Sequence, residues 1–279
     1  MTDDQLGAVR HVVLDLDGTL YRGSRLFDAT LPFLAKLRAW NIGCTFLTNN
    51  TSRSKMDYIE KLRGFGIDAS ESQIYTPADS TIAYLRRHLP AARAIAVLGT
   101  PSLCRQFEEA GFRITWDAPQ AVVVGFDMTL TYERLCRAAY WICQGLPFIA
   151  THPDLVCPTD EPTVLVDCGA ICACLTAATG RSPLVLGKPD PSILLDLCTR
   201  HGVAPRQLAM VGDRIYTDMA MARKAGSLAV LVLSGEATTE DAAALSEPPD
   251  IIVADVGELG RRMEEARRAT GHSDGQAQD

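Results

Sequence analysis

The sequence is most informative first in what it lacks. Acidic residues outnumber basic ones, 34 to 27, and the formal net charge is −7. A surface of that sign does not suit a protein that grips nucleic-acid phosphates broadly, because that grip is made by Lys and Arg. A small anion in a locally positive pocket stays compatible with it. No apolar run approaches the roughly 20 residues that span a bilayer, so no transmembrane helix is expected. The opening stretch "MTDDQLGAVR" is acidic and has no apolar centre, unlike a secretory leader; the expected location is the cytoplasm. There is no internal repeat. The nine cysteines include no Cys-x-x-Cys pair, and no histidine neighbours the cluster Cys168, Cys172 and Cys174. Zinc is therefore disfavoured there, and a small-residue helix packed closely against its surroundings is expected. Cys44, Cys136, Cys143 and Cys198 sit in apolar runs and read as buried free thiols.

What is present is an ordinary globular composition, 47% hydrophobic and 22% charged. Strand-like and helix-like runs alternate. "HVVLDL", "IGCTFLTNN", "QLAMVGD", "LAVLVLSG" and "DIIVADV" read as buried strands. "TLPFLAKLRAW", "SRSKMDYIEKLRGFG" and "TDMAMARKAG" read as helices, the second stopping at Gly64 or Gly66 and the third at Gly226. Near-continuous apolar strands separated by helices imply an α/β fold: a doubly wound, Rossmann-like parallel sheet. The middle of the chain carries strands and helices of its own. "AIAVLG", "FRITW", "AVVVGF" and "PFIAT" are its strand candidates; "PSLCRQFEEAG", "TYERLCRAAYWICQG" and "GAICACLTAATG" are its helix candidates. The aromatic residues of "CRAAYWICQG" fit a helix's buried stripe. The expected organisation is a discontinuous core, residues 1–80 and 184–279, with an α/β domain inserted over 81–183. The last ten residues, "TGHSDGQAQD", are polar and expected to be disordered.

Ligands of open α/β sheets bind at the carboxyl ends of strands, and four such loops are rich in polar groups. They are "DLDGT" (15–19), "TNN" (48–50), "GKPDP" (187–191) and "GDRIYTD" (212–218). Asp15 and Asp17 project to one side of an extended chain, and with Asp213 they concentrate too much negative charge to stand unpaired. A hard cation such as Mg²⁺ would relieve it and take a phosphate oxygen as a further ligand. Lys188 would neutralise phosphoryl oxygens. One carboxylate could then attack phosphorus. Gly18 would permit the tight turn. Thr48, Asn49 and Asn50 offer hydroxyl and amide groups for the remaining phosphate oxygens. Taken singly, each motif also fits a strand end, a turn or a helix cap. All four in one chain point to phosphoryl chemistry.

With these motifs the sequence resembles the haloacid dehalogenase (HAD) superfamily over nearly its whole length. The motif D-x-D-x-T is met by Asp15, Asp17 and Thr19, the second motif by Thr48, the third by Lys188, and G-D-x-x-x-T-D by Gly212, Asp213, Thr217 and Asp218. The segments "LTNNTSRS", "GFDMTLTYERL", "FIATHPD", "DCGAICACLTAATGRSPLVLGKP" and "GDRIYTDM" are similar to those of the NagD / p-nitrophenyl phosphatase branch, whose members carry a large α/β cap between the second and third motifs.

The resemblance implies an Mg²⁺-dependent phosphatase of small phosphomonoesters such as sugar phosphates or nucleoside monophosphates. Asp15 would be nucleophile and metal ligand. Asp17 would be general acid and base, with its backbone carbonyl on the metal. Thr48, Asn49 and Lys188 would hold phosphate, Asp213 would ligate the metal, and Asp218 would act in the second shell or through water. Family members often read Thr-Asn-Pro-Asp where this chain has Thr151-His152-Pro153-Asp154. That departure makes His152, as a substrate contact or an exposed loop residue, a candidate for specificity, with Asp127 and Asp154 as candidates for specificity or for structuring cap loops. The alternatives are a phosphotransferase or mutase using the same phosphoenzyme, and a non-enzymatic receiver-type switch. Partners are expected to be small phosphorylated metabolites, with no nucleic acid and no membrane; self-association is left open.

Overall fold

The computed structural model describes residues 2–157 and 162–269. The polar tail from 270 onward, expected to be disordered, lies outside the described residues. No helix among the described residues is long and apolar enough to cross a membrane. The chain divides into two compact units, one of Met1–Leu47, Leu62–Ile74 and Pro189–Asp279, the other of Thr48–Lys61 and Tyr75–Lys188.

The first unit is built on a six-stranded sheet. Its spatial order is Ile251–Val253, Leu228–Val232, Leu208–Gly212, His11–Asp15, Gly43–Leu47, Ile74–Tyr75. The first five pair in parallel, with Leu14 opposite both Val211 and Phe46, and Asp15 opposite Leu47. Every residue of the 11–15, 208–212 and 228–232 strands is buried. That is why they read as unbroken apolar runs and not as alternating ones. Helices Thr30–Ala39 and Val256–Ala269 pack together. A Cβ on Gly260 would lie 3.1 Å from Phe33 Cδ2, so a glycine at that crossing lets the two backbones approach. The helix expected from "TDMAMARKAG" begins differently. Ile215–Met219 form a widened, π-type turn that continues as the α-helix Ala220–Ala225 and ends at Gly226, φ +68°. Turns of this kind cluster at functional sites.

The second unit has a five-stranded sheet in the order Leu184–Val185, Phe148–Ala150, Val122–Val124, Ala94–Leu98, Arg113–Ile114. All its pairings are parallel. Alternate residues build two separate cores, as a period of two requires. Ala96, Leu98, Val122, Val124, Phe148 and Ala150 meet helices Tyr132–Cys143 and Cys168–Thr179. Ile95, Val97, Val123 and Ile149 meet Ala78 and Leu85 of helix Pro77–His88 and Leu103 and Phe107 of helix Pro101–Glu109. Cys168 and Cys172 are packed inside the first of these cores while Cys174 is exposed, the close-packed small-residue helix expected of that segment. The "CRAAYWICQG" stripe differs from expectation: Ala138 and Ile142 form the buried stripe and Tyr140 is 56% exposed.

This unit is wider than an insert over 81–183. Helix Pro77–His88 runs through the 80/81 boundary, and strand Leu184–Val185 completes the sheet by pairing with Ile149 and Ala150. The segment Thr48–Lys61 also belongs to it.

Candidate active site

Asp15 ends the central strand of the first unit. Its side chain is 8% exposed, and Thr19 Oγ1 donates to its Oδ2 at 3.4 Å. After it the chain folds back at once: Gly18 N–H donates to Tyr21 C=O at 2.7 Å and Leu20 N–H to Leu16 C=O at 2.9 Å. Gly18 has φ +88°, and a Cβ there would stand 2.2 Å from Asp213 Oδ2. Both the left-handed backbone and the closeness of another carboxylate therefore require glycine at this position. Asp17, by contrast, is exposed. The two acids of "DLDGT" thus occupy different environments, one buried and one wet.

Asp213 follows the strand Leu208–Gly212 and is 3% exposed. Its Oδ2 accepts from Glu236 N–H at 2.8 Å, while Oδ1 is buried with no hydrogen-bond partner among the described residues. A Cβ on Gly235 would fall 1.9 Å from Asp213 Oδ2, so the 234–236 loop comes this near only as a glycine. That loop is fixed by Ser234 Oγ donating to Gly18 C=O at 2.7 Å and by Arg22 Nη2 donating to the carbonyls of Ser234 and Gly235 at 2.9 and 3.1 Å. Asp218 sits in the widened turn, fully buried, with Oδ2 accepting from Arg214 N–H at 3.2 Å. Carboxylate oxygens of Asp15, Asp213 and Asp218 lie within 4.8 Å of one another. Burial, then the charges of Asp15 and Asp218, push the Asp213 pKa up to about 7.

The second unit collects the other motif residues. Thr48 and Asn49 begin at the end of the Gly43–Leu47 strand and are 8% and 6% exposed; Lys188 is 3% exposed. Thr48 Oγ1 accepts from Asn50 N–H at 3.1 Å and lies 3.5 Å from the Tyr58 hydroxyl. Asn50 Oδ1 accepts from both the N–H and the hydroxyl of Ser52, at 2.8 and 2.7 Å. Asn49 Oδ1 accepts from Lys188 N–H at 2.9 Å, and its Nδ2 donates to Lys188 C=O at 3.2 Å and toward Asp154 at 3.3 and 3.4 Å.

Of the cap candidates, His152 departs from its expected exposure and Asp127 takes the loop-structuring place that was one of its two readings. His152 is not exposed. It is wholly buried, with Nε2 2.9 Å from Asp167 Oδ1 and Nδ1 3.0 Å from Thr151 Oγ1. Burial alone would lower its pKa; Cys168, the hydrogen bond to Asp167 and the charges of Asp167 and Asp154 outweigh it and hold it at about 9. Asp127 is 5% exposed, accepting from Thr129 N–H and hydroxyl at 2.9 and 2.7 Å and pairing with Arg134 at 3.0 Å; it structures its loop. Asp167, which also caps the helix Cys168–Thr179 by accepting from Cys168 N–H at 2.6 Å, was missed as a site residue. Its signal was an Asp just before a small-residue helix.

The chain is similar to known proteins over most of its length. Residues 12–113 match the family model for haloacid dehalogenase-like hydrolases, and 185–259 match a HAD-hydrolase-like model. An acid sugar phosphatase of Staphylococcus aureus is 33% identical over 253 residues, covering 90% of this chain and 97% of the relative. The structure of a 4-nitrophenylphosphatase from Thermotoga maritima superposes with a TM-score of 0.88 at 39% identity, over 92% of this chain and 98% of that one. NagD from E. coli K-12 gives 0.83 at 30% identity, over 90% and 98%. The chain belongs to the haloacid dehalogenase-like hydrolases, in the branch of NagD and the 4-nitrophenylphosphatases, and is a phosphatase.

Proposed function

We propose that the protein hydrolyses small phosphomonoesters, sugar phosphates foremost, with Mg²⁺ and through an aspartyl-phosphate on Asp15. The observation that carries this reading is the buried triad Asp15, Asp213 and Asp218, with oxygens within 4.8 Å of one another. Three carboxylates so placed repel one another; burial first, and then the charges of Asp15 and Asp218, push the Asp213 pKa up. All the donors are hard oxygens, and Asp213 Oδ1 is buried with no hydrogen-bond partner among the described residues. This set fits a small divalent cation. When bound, Mg²⁺ supplies positive charge to the phosphoryl oxygens and to the carboxylates alike.

The protein's own residues do the rest. An Asp15 carboxylate oxygen attacks phosphorus as the P–O bond to the leaving alcohol breaks, and Asp17 gives that alcohol its proton. Water then attacks the aspartyl-phosphate, passes a proton to Asp17, and phosphate leaves with Asp15 restored. Buried Asp15 is suited to remain a nucleophile screened from bulk water, and exposed Asp17 to exchange protons. Thr48, Asn50 and Lys188 are assigned to phosphate. The inserted domain is assigned the role of a cap that limits substrates to compact molecules, and the likeness to an acid sugar phosphatase favours sugars among them.

The test is phosphate release from a panel of phosphorylated metabolites with Mg²⁺ and with excess EDTA. Steady, EDTA-sensitive turnover that is fastest on sugar phosphates is the expected result. A single stoichiometric burst without turnover would favour the receiver-type switch. Transfer of phosphate to an added sugar in preference to water would favour a phosphotransferase.

A further inference from the structure

Asn49 belongs to the group expected to hold phosphate, yet its side chain is already committed. An anion needs donors, and a carboxamide has two N–H bonds. Nδ2 spends one on Lys188 C=O at 3.2 Å and directs the other at the Asp154 carboxylate, 3.3 and 3.4 Å away. Oδ1 accepts from Lys188 N–H at 2.9 Å. The orientation of the amide is forced, since the backbone N–H needs an acceptor and the backbone C=O a donor. Lys188 thus receives from one side chain the pair of bonds a neighbouring strand would give it. Only a carboxamide can do this at one residue. An aspartate would set oxygen against the Lys188 carbonyl and a second negative charge against Asp154.

The surroundings leave little freedom. Gly187, φ +76°, would place a Cβ 2.5 Å from Thr151 C=O and 3.1 Å from Asn49 Oδ1. Asp154 is presented by a loop pinned at its other end: Gly169 N–H donates to Asp154 C=O at 2.8 Å and Asp167 N–H to Leu155 C=O at 3.0 Å. The buried His152–Asp167 pair, 2.9 Å apart, holds the same loop.

We propose that Asn49 is a positioning residue: it fixes the backbone of Lys188, and hence the place of its ammonium group, and takes its own orientation from Asp154. This deepens the phosphatase reading and rests on Lys188 being the cation that meets the phosphoryl group. A residue acting through another has no effect once the other is gone. The test is a double-mutant cycle on the full chain, read by kcat and KM on the best phosphomonoester, with melting temperatures for each variant.

Asn49→Ala is expected to lower kcat by about 10- to 100-fold, the order of effect of a misplaced group, with KM changed much less. In a Lys188→Ala background the same substitution is expected to change kcat by less than about twofold. Asp154→Ala gives a smaller loss, and none on top of Asn49→Ala; its half-exposed site keeps the test alive should Asn49→Ala fail to fold. Equal losses with and without Lys188, or a rise in KM alone, would overturn the proposal and return Asn49 to direct phosphate binding. If Lys188→Ala leaves turnover unchanged while Asp15→Asn abolishes it, this inference falls and the phosphatase reading survives. If both variants turn over normally, that reading falls as well.

Discussion

The acidic triad of the first unit and the amide–lysine cluster of the second solve opposite problems. Asp15, Asp213 and Asp218 are buried like charges, and Asp213 keeps one oxygen without a hydrogen bond among the described residues. In the second cluster, both polar atoms of the Asn49 side chain are bonded, both ring nitrogens of His152 lie within hydrogen-bond distance of partners, and Asp167 Oδ1 holds both His152 and Cys168 N–H. One region is arranged for something it must acquire. The other is complete in itself and serves as a rigid mount. The lesson is that the fold places its electrostatic conflict where chemistry needs charge and satisfies the groups that merely hold geometry.

That contrast can be broken by substitution. After Asp15→Asn, which should abolish turnover, the largest effect is expected at Asp17, the proposed proton donor. Asp17→Asn should cost about 10²- to 10⁴-fold in kcat on a sugar phosphate, and far less on 4-nitrophenyl phosphate, whose leaving group needs no proton. Equal losses on both substrates would remove the acid role.

Asp213→Asn comes next and should act in two directions. Turnover should fall by about 10²-fold or more with the metal ligand gone. Without metal, the melting temperature should rise by a few degrees, because a desolvated carboxylate facing two others is neutralised. Asp167→Ala should do the reverse in the second unit. It strips the fully buried His152 of its hydrogen-bonded carboxylate partner, 2.9 Å away, with an expected stability loss of about 3 kcal/mol, read by denaturant unfolding. If both substitutions shift stability in the same direction, the contrast between the two regions is wrong.

The smallest effect is in the pH dependence of stability. His152 has its pKa raised to about 9, so its contribution is full below about 6.5, the ordinary value, and fades as pH rises through 9. His11 lies in the first unit, its Nε2 2.9 Å from Thr45 Oγ1 and its ring stacked on His201 at 4.0 Å. Burial, then the His201 charge, lowers its pKa to about 4, so its contribution is present above 6.5 and lost as pH falls toward 4. Melting curves from pH 4 to 10 should show His152→Gln flattening the alkaline limb and His11→Gln the acid limb. The opposite assignment would contradict both directions.

The elements that the sequence made legible were those written in local pattern. Unbroken apolar strands ending in Asp15 and Gly212 announced a parallel sheet and the place of its acids, because the signal lies within a few residues. What escaped depended on contacts far apart in the chain. Asn49 and Asp154 meet across 105 residues, and Asn49 and Lys188 across 139. So the sequence could suggest phosphate for Asn49 but could not show that its donors were already used. His152 looked like a loop histidine because nothing beside it hinted at Asp167. Asp218 looked peripheral until the widened turn at 215–219 brought it into the carboxylate group.

The central claim is that Asp15, relieved of its neighbours' charge by a cation, becomes phosphorylated during turnover. Acid-quenching the enzyme in steady state with ³²P-labelled substrate, followed by borohydride reduction and peptide mass spectrometry, tests it most directly. The account predicts Mg²⁺-dependent label whose reduction converts Asp15 alone to homoserine. Steady turnover with no acid-stable or reducible adduct, or an adduct on another residue, would contradict it.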